Sequence, residues 1–593
     1  MPQHHRSVAF SNKQKKEQLK AKRERQRNAN SEVDKKPPLT CGKSLLETRG
    51  FDEVKKILPP SRSHNVNSLN YGKKNYYTDN VEEIQGGGVA SKHNRYNLKF
   101  RKVQNGREHL KKLQYEPVSP LPPEELEVDS EAFYPSGLDY PKRPSWNRGI
   151  SKVELDRIEN RSFRLFCEEI DNIYDPEQLS LYELNLETWR QLWRVTEMSD
   201  IILIVVDARF VAAHFPPYLY KHLVEKENKG VVLVMNKCDL VPSSLVIAWT
   251  DFCAKFYPKL IVVPFSSFEG KSAKKSTLKM AMHSSLNLID ACQKLVDNNV
   301  DLRSWRKKVE EEMKEEATEK CKILKEHISE VEDKHPLTYQ RYKDNVLTIG
   351  TIGHPNVGKS SLINALMGKK VVSVSKTPGH TKHFQTIFIT KNVKLCDCPG
   401  LVFPSLCPKQ LQVILGSYPI AQVKDPLSSI HYIACRVNMP KLLSLNPSDI
   451  GEDFRGFRWT PFHICEAWAK KRGYYTRTKG GRPDVCRAAN ELLRFTLVGF
   501  KGLIITLRPF GYSKNKELYD LDSRLHEINL IQNLENGTES NSMSCGRDMF
   551  LEEDSDSEDS LPSNGMTQIE SSDDEEDEVE HNKFAALLSL EDT

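Results

Sequence analysis

Residues 353–360 form the segment whose side chains have the most specific chemistry. Gly353 is followed, after four intervening residues, by Gly358, Lys359 and Ser360. In such a loop the backbone N–H groups surround phosphate oxygens, the lysine ammonium reaches the outer phosphates, and the serine hydroxyl binds Mg²⁺. The pattern therefore predicts a phosphate-binding loop that uses Mg²⁺, with Lys359 in a catalytic role. The residues predicted to bind nucleotide in this loop are Gly353, Pro355, Asn356, Val357, Gly358, Lys359, Ser360 and Ser361.

The segments on either side of this loop have the patterns that it requires. Residues 346–352 are largely apolar, which indicates a buried strand, and residues 361–367 have the spacing of a helix. A helix that begins at the loop directs the positive end of its dipole at the phosphates. The strand, loop and helix therefore support the phosphate-binding prediction.

A second motif predicts which base the nucleotide carries. Asn236, Lys237 and Asp239 follow the apolar run at residues 231–235. A carboxylate at position 239 accepts hydrogen bonds from N1–H and the exocyclic amine of guanine, whereas adenine presents a lone pair at N1. We therefore predict guanine binding by these three residues and poor binding of ATP.

An accessory contact to the base is predicted further along the chain. Residues 260–263 form a short apolar run that indicates another strand. Ser266 and Ser267 follow it and are predicted to line the guanine through their backbone.

A third motif lies at residues 397–400. Residues 393–396 are predicted to form a strand that delivers Asp397 towards Mg²⁺, and the Gly400 amide is placed to meet the γ-phosphate as a catalytic contact. Pro399 is included among the nucleotide-binding residues. Residues 377–381 form a flexible segment with a threonine hydroxyl able to complete the Mg²⁺ shell.

The residue after this motif is Leu401. Signalling GTPases commonly carry glutamine there to orient the attacking water, and leucine cannot make that hydrogen bond. We therefore predict slow hydrolysis, with water organised by a monovalent cation, by a partner such as ribosomal RNA, or by another switch residue. The histidines at positions 354, 380 and 383 are interpreted as solvated loop residues.

The order of the motifs identifies the arrangement of the domain. In an ordinary guanine-nucleotide fold the phosphate loop comes first, but here the base reader at residues 236–239 precedes it. We predict an α/β fold containing a circularly permuted P-loop GTPase domain. Its sheet is expected to be mostly parallel with helices on both faces, followed by a small helical C-terminal domain.

These motifs resemble the circularly permuted family of nucleolar and ribosome-assembly GTPases over about residues 150–510. The resemblance is carried by Asp207 and Arg209, by residues 236–239, 353–361 and 377–381, and by residues 397–400. It implies GTP binding, slow GTP hydrolysis and an association with large-subunit assembly. It also implies a nuclear or nucleolar location, with shuttling to the cytoplasm as an alternative.

The resemblance assigns two further residues. In assembly-type GTPases the last threonine of Pro-Gly-x-Thr binds the metal, so Thr381 is predicted as a catalytic Mg²⁺ ligand together with Ser360 and Asp397. An asparagine at the position of Asn356 helps to hold K⁺ in similar GTPases, and a purely geometric role in the loop is the alternative.

Charge divides the rest of the chain. The net charge is +5, but residues 13–27 and 95–112 are basic, whereas residues 552–559 and 573–580 are acidic. Together with a mean hydropathy of -0.56, this predicts disordered basic N-terminal and acidic C-terminal tails. The basic arm is interpreted as a nucleic-acid contact or nuclear-import signal, or as a solvated helix. Ser555 and Ser557, embedded among carboxylates, indicate a phosphoprotein.

No apolar run reaches the length of a membrane span, and no lipidation motif is present, so no membrane partner is expected. The protein is also expected to be a monomer. The thirteen cysteines lack paired spacing and are interpreted as free thiols. The predicted units are an arm at 1–115, a linker with lead-in helices at 116–175, the GTPase domain at 176–410, the helical domain at 411–515, and the tail at 516–593. The GTPase domain is predicted to carry a charged insert at about 270–340 that is an exposed helix or disordered.

The helical domain is the predicted RNA contact. Two helical patterns, at residues 461–469 and 484–495, flank a basic segment. A nucleotide-dependent switch that binds GTP or GDP and pre-ribosomal RNA is therefore predicted. The alternatives are a nucleotide-stabilised scaffold and a signalling GTPase. The basic residues proposed to contact RNA are Lys470, Lys471, Arg472, Arg477, Lys479, Arg482 and Arg487.

Overall fold

A computed structural model describes the fold. It describes residues 81–84, 98–101, 112–147, 149–175, 177–267, 275–297, 299–315, 328–329, 341–368, 370–374, 379, 385–452, 455–477 and 481–532. The predictions for the basic segment at 13–27, the acidic blocks, the two tail serines, Thr381 and Lys479 fall outside these residues.

The strands are short and most belong to one sheet. In chain order they are β1 (Val81–Ile84), β2 (Leu98–Arg101), β3 (Glu127–Val128), β4 (Ile201–Asp207), β5 (Gly230–Asn236), β6 (Ile261–Pro264), β7 (Ile328–Ser329), β8 (Leu347–Ile352), β9 (Gln385–Thr390), β10 (Val393–Asp397) and β11 (Arg508–Pro509).

In the part of the chain that the structure describes, seven strands form the central sheet in the order β6-β5-β4-β8-β10-β9-β7. The first five strands in this order, β6, β5, β4, β8 and β10, are parallel to one another. Strand β9 pairs antiparallel with β10, and β7 pairs antiparallel with β9. The mostly parallel α/β fold predicted from the sequence is therefore confirmed. Strand β8, which precedes the phosphate loop, pairs with β4 from the segment earlier in the chain.

The helices surround this sheet. In chain order they are α1 (Ser130–Phe133), α2 (Lys152–Ile173), α3 (Leu186–Met198), α4 (Val211–His214), α5 (Pro217–Lys221), α6 (Ser243–Phe256), α7 (Lys275–Val296), α8 (Arg303–Glu315), α9 (Lys359–Met367), α10 (Lys409–Ile414), α11 (Pro426–Ala434), α12 (Met439–Leu442), α13 (Pro461–Arg472), α14 (Val485–Val498), α15 (Lys516–Asp520) and α16 (Leu525–Gln532).

Strand β4 shows how the sheet divides two buried clusters. All seven of its residues are buried, as expected for a parallel strand covered on both faces. Its alternate residues enter different clusters: Leu203 packs with α7 and α9, whereas Ile204 packs with α3 and α6. Among the described residues, no helix is long and apolar enough to cross a bilayer.

Helices α13 and α14 occur where the sequence predicted helices. Thr460 caps α13 by accepting from the His463 N–H, and Asp484 caps α14 by accepting from the Arg487 N–H. Buried residues of these helices, including Ile464 and Leu492, belong to the same cluster as Ile204 in the sheet. The core is therefore continuous from the sheet into these helices, and their separation as a domain at 411–515 stays a prediction.

Two described segments correct the predicted tails. Residues 516–532 were assigned to the disordered acidic tail, yet they contain α15 and α16, whose Ile528 and Ile531 are buried. In the arm, assigned as disordered or helical, Leu98 and Phe100 form part of strand β2 and are buried beside Val402. In both cases a few apolar side chains order a polar segment by packing on the fold.

The described part of the insert contains the helices α7 and α8, and it is not exposed throughout. Helix α8 was interpreted as an exposed helix or a disordered insert because of its charge. Its Trp305 is completely buried, and Val309 lies in the same cluster as Ile389 of the sheet. Charged residues on the opposite side of the helix hide this short apolar contact in the sequence pattern.

Candidate functional site

The predicted site residues converge at one edge of the sheet. Asn236 ends β5, Asp397 ends β10 and Gly353 directly follows β8. Because these strands are parallel, their carboxyl ends lie at the same edge, where open α/β sheets bind ligands. The fold therefore assembles motifs that are far apart in the sequence.

Lys359 is buried inside the phosphate loop. Its ammonium donates to the carbonyl oxygens of Gly353 at 3.0 Å and His354 at 2.7 Å. Burial lowers the lysine pKa to about 8, against the opposing effect of the nearby Asp397 carboxylate. The loop thus holds an ammonium group at the start of α9, where a phosphate would also meet the helix dipole.

The phosphate loop is tied directly to the base-reading motif. Asn236 donates from Nδ2 to the Val357 carbonyl at 2.8 Å, and Lys237 donates from Nζ to the Asn356 carbonyl at 2.8 Å. Gly358 has φ +100°, and a Cβ there would lie 2.1 Å from Asn236 Nδ2. Glycine is therefore required by both the backbone conformation and the close approach.

The serine pair braces the base reader through side chains. Ser266 Oγ donates to Asp239 Oδ1 at 2.8 Å, and Ser267 Oγ donates to Asn236 Oδ1 at 3.0 Å. Burial raises the pKa of Asp239, while the bond from Ser266 opposes that shift. These bonds hold the amide and the carboxylate in one cluster.

Asp397 and Ser360 fit a divalent cation. Asp397 is fully buried, and its Oδ2 has no hydrogen-bond partner among the described residues. Burial raises its pKa to about 6, while Lys359, Gln385, Thr351 and Ser360 act in the opposite direction. A buried carboxylate oxygen left unpaired beside a serine hydroxyl is the donor set that Mg²⁺ takes together with phosphate oxygens.

The segment from Asp397 to Leu401 packs closely on the phosphate loop. A Cβ on Gly400 would lie 2.8 Å from Pro355 Cα and 3.2 Å from Lys359 Nζ. The Leu401 N–H donates to the Gly353 carbonyl at 3.2 Å, and the leucine side chain is completely buried. Leu401 is therefore part of the core. Pro399 lies in this same segment.

The structure corrects the interpretation of His354. Its side chain is buried rather than solvated, 5.0 Å from the buried His214 ring between centroids. Burial holds the pKa of His354 well below its usual range and that of His214 at about 3, so both rings are neutral at pH 7. His380 and His383 lie outside the described residues.

Asn356 contacts the segment that follows the switch. Its Nδ2 donates to the Gly416 carbonyl at 3.0 Å, and its own φ is +58°. These features give Asn356 a geometric function in the loop, and K⁺ binding by this residue stays a prediction.

Two structural contacts were not predicted from the motifs. Arg209 is buried and pairs with Asp207, which also lies 3.0 Å from the Lys237 ammonium. Gln532 donates to the Cys238 carbonyl within the base-reading motif. The Asp-Ala-Arg sequence after a buried strand was a usable signal for the first contact, whereas nothing near Gln532 in the sequence signals the second.

The chain is similar to known proteins over most of its length. A family profile described as "50S ribosome-binding GTPase" matches residues 348–425. Guanine nucleotide-binding protein-like 1 of Rattus norvegicus is 43% identical over 469 residues, covering 74% of this chain and 77% of that protein. The Homo sapiens protein of the same name is 42% identical over the same shares.

A more distant relative is GTPase LSG1-1 of Arabidopsis thaliana. It is 31% identical over 390 residues, covering 63% of this chain and 69% of that protein. GTP hydrolysis is the activity shared by the matched profile and this named relative. With its base reader ahead of its phosphate loop on a mostly parallel sheet, the chain is a GTPase that belongs to the circularly permuted guanine nucleotide-binding protein-like 1 family.

Proposed function

We propose that this GTPase is a slow nucleotide-dependent switch in the assembly of the large ribosomal subunit. The observation that carries the proposal is the bond between Asn356 of the phosphate loop and Gly416. Gly416 belongs to the segment that connects the γ-phosphate-sensing motif to helices α11–α14. A change at the phosphates is therefore transmitted directly to those helices.

In the proposed site, Asn236, Lys237 and Asp239 bind guanine, and the loop from Gly353 to Ser361 binds the phosphates. Ser360, Asp397 and Thr381 would hold Mg²⁺, which would neutralise charge on the phosphate oxygens. Lys359 leaves its two loop carbonyls to contact phosphate oxygens, and the Gly400 amide donates to the γ-phosphate.

Hydrolysis is proposed to be slow because Leu401 offers no polar group to the attacking water. Its side chain points into the core beside Cys398 and Phe403. The water must therefore be organised by a residue outside this position, by K⁺ or by the partner.

The proposed RNA surface is smaller than the sequence predicted. Lys471 donates to the carbonyls of Leu443 and Ser444, and Arg472 pairs with Glu491, so both serve the fold. Lys470 pairs with Glu466 in the same helix. Of the predicted basic residues that the structure describes, Arg477, Arg482 and Arg487 are exposed and have no such ion pair, and the Arg487 guanidinium lies over the Tyr474 ring at 4.3 Å from its centroid.

The matched profile's description names 50S ribosome binding, and this supports ribosomal RNA as the partner proposed here. Exposed arginines recognise phosphates and stack on bases, which suits RNA. A nuclear or nucleolar location with passage to the cytoplasm, and a monomeric state, complete the proposal.

The test is single-turnover GTP hydrolysis by the full chain in K⁺ and in Na⁺, with and without purified large ribosomal subunits, together with subunit binding in each nucleotide state. Stimulation by subunits and tighter binding with GTP are expected. Equal binding in GTP and GDP, without stimulation, would overturn the switch.

The buried side chain of Leu401 favours one alternative, a scaffold stabilised by nucleotide whose hydrolysis has no output. In that case the partner would bind equally in both nucleotide states, and Asp239→Ala would weaken partner binding only as far as it weakens nucleotide binding. The experiment above separates the two functions.

A further inference from the structure

Helix α16 lies against the base-reading loop. Gln532, its last residue, donates from Nε2 to the Cys238 carbonyl at 2.8 Å and to the Val241 carbonyl at 3.0 Å. Cys238 and Val241 stand on either side of Asp239, the residue that reads the exocyclic amine of guanine in the proposed function. One side chain from the far end of the described chain thus bridges the backbone of this loop.

The helix that carries Gln532 is firmly attached to the fold. Ser243 Oγ lies 2.6 Å from Asn529 Oδ1 and 2.7 Å from Gln532 Oε1, and its single hydroxyl hydrogen is shared between these two acceptors. Ile528 and Ile531 are buried in the same helix. The Gln532 amide is therefore oriented through its oxygen by Ser243 while its nitrogen holds the loop.

The base-reading loop also has backbone bonds of its own: the Cys238 N–H donates to the Phe265 carbonyl at 3.2 Å, and the Val241 N–H donates to the Cys238 carbonyl at 3.3 Å. It turns sharply after β5, with Lys237 at φ +61°, and continues as a single turn at Cys238–Leu240. Ser266 fixes one oxygen of the Asp239 carboxylate at 2.8 Å, but that bond acts on the side chain only. The backbone of Asp239 is held between the two carbonyls that Gln532 bridges.

We propose that Gln532 is a positioning residue for guanine recognition. It acts through the carbonyls of Cys238 and Val241 to place the Asp239 carboxylate against the exocyclic amine of the base. This inference rests on the proposed function, because it requires Asp239 to read guanine. Through Gln532, helix α16 contributes to the nucleotide specificity of the GTPase.

The experiment compares GTP with inosine triphosphate, which lacks the exocyclic amine but retains N1–H. In the full chain, Gln532→Ala is expected to weaken GTP binding more than inosine triphosphate binding. The ratio of the two affinities should therefore fall about threefold to tenfold, which is the contribution of about one hydrogen bond. Asn529→Ala is the matched control, because Asn529 lies on the same helix and bonds Ser243 but, among the described residues, has no hydrogen bond to the loop. The preference of Asn529→Ala for GTP over inosine triphosphate should equal that of the wild type.

A purely structural effect gives a different result. If Gln532→Ala weakened both nucleotides by the same factor, or neither, the positioning role would be overturned. Asp239→Ala in the same assay separates this failure from failure of the proposed function. If Asp239→Ala leaves the preference unchanged, the base-reading assignment is wrong. If it abolishes the preference while Gln532→Ala does not alter it, only the role of Gln532 is wrong.

Discussion

Asp207 and Arg209 form a bidentate ion pair in the interior of the protein. Arg209 Nε donates to Asp207 Oδ1 at 3.0 Å, and Nη2 donates to Oδ2 at 2.7 Å. The same guanidinium donates to the carbonyls of Thr496 and Leu497 at the end of α14, and Asp207 also contacts Lys237. The pair therefore connects Lys237 of the base-reading motif to a helix whose Thr496 lies 287 residues beyond Arg209 in the chain.

Removing one partner of this pair should be costly. Arg209→Ala leaves the Asp207 carboxylate buried and deprives the carbonyls of α14 of their donor. We expect the free energy of unfolding to fall by about 3–5 kcal/mol in urea denaturation. Arg524→Ala is the control, because Arg524 pairs with Asp251 and Asp522 at the surface and should cost at most about 1 kcal/mol. Equal losses in the free energy of unfolding of the two variants would contradict a stabilising role for the buried ion pair.

Lys359→Ala should remove most nucleotide binding. The variant loses the buried ammonium that the phosphate loop holds ready for phosphate oxygens. Loss of charge-assisted contacts predicts an affinity lower by about 100-fold or more, measured by titration of a fluorescent GDP analogue with Mg²⁺. Lys370→Ala, at an exposed lysine beyond α9, should bind as the wild type does. An unchanged affinity of Lys359→Ala for the GDP analogue would show that the phosphate loop is assigned wrongly.

Gly400→Ala should separate the switch segment from the phosphate loop. The added Cβ would lie 2.9 Å from the Pro355 backbone nitrogen and 2.8 Å from its Cα. Because backbone atoms cannot move aside independently, we expect single-turnover hydrolysis to fall by about 10-fold or more. Gly149→Ala is the control, because its Cβ would meet only Asn147 Oδ1 at 3.4 Å. Normal hydrolysis by Gly400→Ala would rule out this packing constraint.

Leu401→Gln should not convert the protein into a fast GTPase. The leucine side chain is buried in the core, so a glutamine amide there would lack partners and would not face the site. We expect unchanged or slower single-turnover hydrolysis and a loss of stability of about 1–3 kcal/mol. Leu521→Gln is the control, because that side chain is 85% exposed, and it should alter neither the hydrolysis rate nor the stability. Faster hydrolysis by Leu401→Gln would show that residue 401 faces the attacking water.

Glu183 should make stability depend on pH. It is buried, its Oε1 accepts the N–H groups of Lys99 and Asn185, and burial raises its pKa from 4.5 to about 8. Between these two values the folded protein binds more protons at this carboxyl than the unfolded protein does. The contribution of Glu183 to the free energy of unfolding therefore falls as pH rises through that window, by at most about 1.4 kcal/mol per pH unit.

Glu183→Gln removes this titration while keeping an acceptor oxygen. Its free energy of unfolding relative to the wild type should increase from pH 5 to pH 8 in parallel urea titrations. The exposed Glu124→Gln should show no such trend. Parallel curves for Glu183→Gln and the wild type would mean that Glu183 is charged in the folded protein at neutral pH.

The chemistry of the site was accessible from the sequence because it depends on short spacings. A phosphate loop needs Gly358, Lys359 and Ser360 in consecutive positions, and a guanine reader needs Asn236 and Asp239 three residues apart. The long apolar runs before these motifs predicted β5 and β8 for the same local reason. Their unusual order along the chain was sufficient to predict the permutation.

Tertiary packing decided the contacts between distant segments. The bonds of Asn356 to Gly416 and of Gln532 to Cys238, and the burial of Leu98 beside Val402, join residues with no common local pattern. Helix α16 escaped prediction because its two buried isoleucines are too few to distinguish it from a polar tail. Sequence therefore predicted which groups bind nucleotide, whereas the packing of buried side chains decided which distant residues hold those groups in place.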